Sequence, residues 1–151
     1  MADSRTRTHG AEAVSIADRI GRLHAQLAWQ LDAVVRPLGL TAGQAIALFV
    51  LSEEGQGRSQ TAWAHSLGFS RQHAHALCRA LADRGALLRQ VRGREVHVRV
   101  SARGRRLVER TRPAVEARLA PLLEGLPAAE IRRFVRTLER LASRVPDLER
   151  R

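Results

Sequence analysis

The chain has no lysine, no tyrosine and a single cysteine, Cys78. One cysteine excludes an intrachain disulfide and any zinc cluster built on cysteine pairs. Aromatic residues make up only 3% of the sequence, so a core has to be assembled mainly from Leu, Val, Ala and Ile. No apolar run reaches the roughly 18 residues a membrane span needs. Residues 1–10 hold no apolar core of signal-peptide length. The expectation is a soluble, cytoplasmic protein with no membrane partner. His65 and His75 could each serve as a base, but no Ser or Asp stands in a motif beside either. A Gly-rich phosphate loop and a paired-carboxylate motif are missing too, so an enzyme is not expected and no cofactor is implied.

What is present is positive charge. The net charge is +11, all 26 basic residues are arginine, and 151 residues suit one domain. The charge is concentrated rather than spread. Residues 68–106 carry ten arginines against Asp83 and Glu95, a net of +8, which leaves +3 for the other 112 residues. A local excess of this kind reads as the electrostatic footprint of a polyanion partner such as nucleic acid or an acidic membrane.

Along the chain, residues 1–10 are polar and aperiodic and read as a flexible N-terminal arm. The rest, 11–151, reads as a single domain. From about Ala11, Ile16, Ile20, Leu23, Leu27, Leu31, Val34 and Val35 recur at steps of three and four. That spacing predicts an amphipathic helix over 11–36, closed by Pro37. Thr41 and Gln44 have capping-box spacing and open a second helix. Ser59 and Ser70 are N-caps of two short helices joined by Gly68-Phe69-Ser70, a turn short enough to signal a helix-turn-helix. After Gly85 the period falls to two. Leu87, Arg89 and Val91 precede Arg92-Gly93, and Val96, Val98 and Val100 follow, predicting a hairpin with a basic tip, its valines inward and its arginines outward. Ser101 caps a helix to about 124 that Pro113 should kink. Pro127 opens a last helix with Ile131, Phe134, Val135, Leu138, Leu141 and Val145 on one face. The fold class expected is mostly α with a small β-hairpin: a winged helix-turn-helix over 41–101 between long helices at 11–36 and 102–145. The surplus apolar face of those end helices suggests an interface.

On a helix over 71–84, Ala74, Leu77, Cys78 and Leu81 form an inward stripe. Arg71, Gln72, His75, Ala76 and Arg79 lie opposite, with His73 on the flank. A helix entering the major groove needs such a face, because Arg can donate twice to guanine and Gln can pair with adenine. Arg71, Gln72, His73 and His75 are the candidate base readers, and Arg79, Arg92, Arg94 and Arg99 the candidate backbone contacts.

The ordered stretches Arg36-Pro-Leu-Gly-Leu-Thr-Ala-Gly-Gln44, Ser59 to Arg71, Leu77 to Gly85 and Val100-Ser-Ala-Arg-Gly104 resemble the MarR family of winged-helix transcriptional regulators. The resemblance spans nearly all of 11–145. It implies a homodimer joined through the first and last two helices, bound to a pseudo-palindromic operator, usually as a repressor released by a small ligand. The wing departs from the family pattern: a longer loop with an Asp-x-Arg run is shortened here to Arg92-Gly93-Arg94. A ligand pocket of the family would lie near His24, Trp29, Phe49 and Trp63, although each is an ordinary core residue type. Two other readings stay open: a non-specific architectural nucleic-acid-binding protein, and a redox-sensing regulator acting through Cys78. His73, His75 and Cys78 do not make a metal site, since helix positions two apart point about 200° away from each other.

Overall fold

A computed structural model describes residues 2–145, with side chains from residue 9 onward. It contains six α-helices and one three-stranded antiparallel sheet. The described residues form two compact units, divided between Arg118 and Leu119.

The first unit opens with α1, Ala2–Val35. The helix begins at Ala2, ahead of the start near Ala11 that the apolar period marks. Residues 2–10 contain no proline, and the one glycine there, Gly10, costs a helix only about 1 kcal/mol relative to alanine. Pro37 ends α1 as expected by turning the chain into a 3-10 turn, Arg36–Leu38. Helix α2, Ala42–Glu53, carries the full capping box. The Gln44 backbone N–H donates to Thr41 Oγ1 at 3.2 Å, and the Thr41 N–H donates to Gln44 Oε1 at 3.0 Å. Asp32 of α1 adds a further tie by accepting from the Ala42 N–H at 3.1 Å. Its carboxyl is held below the ordinary carboxylate range first by the Arg36 side chain bonded to it, then by that backbone N–H.

Strand β1, Arg58–Ser59, was not expected from the sequence; it is two residues long and pairs with β3. Helices α3, Gln60–Ser66, and α4, Arg71–Asp83, follow, then β2, Leu87–Arg92, and β3, Glu95–Val100. The sheet order is β1-β3-β2. Trp63, Leu48, Leu51, Leu81, Val35 and Val98 are fully buried and form the centre of this unit.

The hairpin departs from the expectation at its tip. Val98 and Val100 are buried and Val96 is half-buried, but Val91 is 74% exposed. Leu87 pairs with Val100 at the buried base, whereas Val91 pairs with Val96 next to the turn, so the hairpin runs out beyond the core that covers its base. Helix α5, Ala102–Leu119, passes through Pro113 and ends five residues short of the expected 124. The chain continues as a 3-10 turn, Ala120–Leu123, because Pro121 lacks the N–H an α-helix would use there.

The second unit holds α6, Ala128–Ala142, with Pro127 at its N-cap rather than inside its first turn. None of its 15 residues is buried. Phe134 is 54% and Val135 46% exposed, with Leu138 and Leu141 at 36% and 37%. Residues 146–151, the end of the expected single domain, lie outside the described residues.

Candidate nucleic-acid interface

The helix-turn-helix is fixed by two serines and a glycine. Ser59 Oγ accepts from the Ala62 N–H and Ser70 Oγ from the His73 N–H, both at 3.2 Å, so each helix starts on a satisfied cap. Between them Gly68 adopts φ +65°, a conformation that only glycine takes without strain. Phe69 then returns its N–H to the Ala64 carbonyl at 2.9 Å. Its ring stands edge-on to His73, with centroids 4.6 Å apart.

Helix α4 is divided as the sequence indicates. Ala74, Leu77, Cys78 and Leu81 are buried, and Arg71, Gln72, His73, His75, Ala76 and Arg79 are exposed. Arg71, Gln72 and His75 line one hollow of about 390 Å³ together with Gln60 and Thr61 of α3. Those two α3 residues escaped the sequence reading, since nothing in their spacing links them to α4 across the turn.

In the hairpin, Arg92 pairs with Glu95 across Gly93-Arg94. Gly93 has φ +61° and Arg94 does not take positive φ, the pattern of a type II′ turn suited to a two-residue hairpin loop. The Arg92 guanidinium donates to Gln90 Oε1 at 3.1 and 3.3 Å, which orients it along the strand. Arg92 and Arg99 line a second hollow, of about 460 Å³, with Arg89, Gln90 and His97. Arg89, not among the expected contacts, is exposed on the opposite face of the ladder from Arg92, opposite Val98. Arg79 and Arg94 are exposed outside both hollows.

The four expected ligand-pocket residues differ in surroundings. Trp63 is wholly buried, Trp29 is 70% exposed, and His24 is exposed on α1. Phe49 is half-buried with the Arg112 guanidinium 5.2 Å above its ring, a cation–π contact. Among the described residues no group of three His, Cys, Asp or Glu side chains is placed to hold a metal ion. No single described helix is long and apolar enough to cross a membrane.

Cys78 is fully buried, and burial pushes its thiol up to about 11. At pH 8 this leaves roughly one thiolate per thousand, and only the thiolate is nucleophilic. Cys78 is therefore expected to ignore a thiol-reactive dye such as DTNB in native buffer and to react at once in urea. Fast native labelling would restore the redox reading. Because folding raises this pKa, the protonated thiol's contribution to stability is complete below pH 9 and is lost as pH rises through about 11.

No family model matches the chain. Among curated proteins it is similar to the HTH-type transcriptional repressors Rv2887 of Mycobacterium tuberculosis and Mb2911 of Mycobacterium bovis. Each is 34% identical over 125 residues, covering 81% of this chain and 89% of the relative. Among solved structures, the M. tuberculosis MarR family protein Rv2887 in complex with salicylic acid is 34% identical, covers 81% of this chain and 92% of its own, and superposes with a TM-score of 0.62. CouR from Rhodococcus jostii RHA1, bound to p-coumaroyl-CoA, is similar in fold with a TM-score of 0.75 at 23% identity, over 84% of this chain and 91% of its own. A MarR family regulator from Rhodococcus sp. RHA1 reaches a TM-score of 0.77 at 22% identity, over 86% and 94%.

Proposed function

Because the chain belongs to the MarR family of transcriptional regulators, we propose that it binds double-stranded DNA as a homodimer and represses transcription from a pseudo-palindromic operator. The observation that carries this reading is the polar, exposed face of α4, capped by Ser70 and flanked by an arginine-bearing hairpin within the most basic part of the chain. Arg71, Gln72, His73 and His75 read base edges in the major groove. Arg79, Arg92, Arg94 and Arg99 hold phosphates. The hairpin's two-residue turn makes its reach short, which moves specificity onto the first turns of α4.

Selection of bound sequences from a random DNA pool tests this. A two-fold-related consensus is expected from the wild-type chain. Gln72→Ala should relax one position per half-site, a loss of ~1–3 kcal/mol there. Arg92→Ala with Arg94→Ala should weaken all sequences alike and flatten the salt dependence by about one unit of slope per arginine. If no consensus emerges, the architectural reading takes over.

A small organic acid is the effector class best supported, since the 34% identical relative is described in complex with salicylic acid. Phe49 beneath Arg112 is a fitting corner for such a molecule, pairing an aromatic face with a fixed cation. His24 and Trp29 stay within the same proposal, whereas the buried Trp63 serves the core.

A further inference from the structure

A third hollow of the first unit, of about 420 Å³, is lined by Leu38, Arg84, Arg103, Arg106, Leu107 and Arg110. Four of its six side chains are arginines, drawn from the C-cap of α4 and from α5. None of the four has a hydrogen-bond or ion-pair partner among the described residues. Guanidinium groups cannot relieve mutual repulsion by losing protons at any ordinary pH, unlike lysines or histidines. Bound anions would do so directly.

Two of the four are also seated against backbone that has no side chain. Arg84 Nη2 lies 2.6 Å from where a Cβ on Gly39 would stand, and Arg103 Cδ lies 3.5 Å from the equivalent point on Gly85. The Arg84 guanidinium and the Arg103 stem thus lie against backbone, while all four arginines are exposed to solvent and open to a ligand. Arg84 C-caps α4, a helix of 13 residues, so it stands about 20 Å along the axis from Arg71. Any occupant here is out of reach of the base-reading turns.

We infer that this hollow is a binding site for a small polyanion, a molecule carrying several phosphate or carboxylate groups, held by Arg84, Arg103, Arg106 and Arg110. Leu38 and Leu107 leave it an apolar edge that a short carbon frame could cover. Arginine favours such ligands because its planar fork matches the paired oxygens of phosphate and carboxylate. The inference does not depend on the DNA reading.

Calorimetric titration of the full chain with inorganic tripolyphosphate, and separately with citrate, at 150 mM NaCl tests it. Saturable binding of one ion per chain is expected. Arg106→Ala with Arg110→Ala should weaken it at least tenfold. Arg106→Lys with Arg110→Lys should recover only part of the loss, since charge returns without the fork. Gly39→Ala should weaken it severalfold by displacing Arg84. Arg92→Ala with Arg94→Ala should leave it within twofold. Binding of tripolyphosphate alone would assign phosphate groups, and equal binding of citrate would assign polyanions in general. The inference fails if titration shows no saturation, if the 106/110 variants bind like wild type, or if the hairpin variant loses as much as they do.

Discussion

Replacing Phe134 and Leu138 together by glutamate is expected to convert the protein to monomers and to lower operator affinity about a thousandfold or more. The positions lie one turn apart on α6 and are 54% and 36% exposed. Both remain partly open to solvent, and far-UV circular dichroism should stay close to wild type. A helix whose apolar stripe includes Ile131, Phe134, Val135, Leu138 and Leu141, with no residue buried, has its burial partner elsewhere. In the proposed dimer that partner is a second copy. A charge in the interface has to be desolvated without a counter-charge, which costs several kcal/mol per ion and outweighs what the remaining contacts supply. The affinity consequence follows from geometry. A dimer holds two recognition helices ~34 Å apart and engages both half-sites at once. A monomer has one, and specific binding falls toward the non-specific level, typically 10³-fold or more weaker. Light scattering at micromolar concentration and an operator titration read the two effects separately. A double variant that stays dimeric would remove α6 from the interface.

The sequence made the caps and the faces legible because both are local. Ser59, Ser70 and Thr41 each satisfy N–H groups within three residues, so their chemistry is written in adjacent positions. The inward stripe of α4 likewise follows from helix period alone. The mixed helical and hairpin order, and with it the fold seen in the MarR structures, came out of the same signals. What stayed hidden depended on partners remote in sequence. Strand β1 exists because Arg58 and Ser59 meet Val98 and His97, some forty residues away. Val91 alternates like a core residue but lies past the part of the hairpin that the core covers. The four-arginine hollow joins residue 84 to 103–110 beside Leu38, a grouping that no linear spacing announces. The start of α1 at Ala2 was not legible for a different reason: residues 2–10 carry no apolar period to mark it.

Gly104→Ala should destabilise the protein by about 1–2 kcal/mol net, although alanine is the better helix former by ~1 kcal/mol. The reason is the junction where α5 begins. Ser101 donates its N–H to the Ala86 carbonyl at 3.0 Å and its Oγ–H to the Gly85 carbonyl at 2.6 Å, while the Gly104 N–H donates to Ser101 Oγ at 2.9 Å. These bonds hold the end of β3 and the start of α5 against the segment that leaves α4. Gly104 is in α5, and a Cβ there would overlap the Ala86 carbonyl oxygen and stand 2.7 Å from Val100 Cγ1. The overlapped atom is backbone and cannot rotate away, so α5 or the segment just before β2 has to shift, and overpacking of this kind costs ~1–3 kcal/mol. Steric cost therefore exceeds helix propensity. Gly21→Ala is the matched control, since Gly21 lies in α1 with nothing within 4 Å of its added methyl. That variant should gain about 0.5–1 kcal/mol. Urea denaturation monitored by circular dichroism should move the two midpoints in opposite directions. The Gly104 variant should also bind every DNA sequence more weakly than wild type, because displacing this junction moves the hairpin arginines relative to α4. A Gly104→Ala protein as stable as wild type would mean that the close approach of α5 to Ala86 relaxes freely, and that the hairpin is not held to the recognition helix through it.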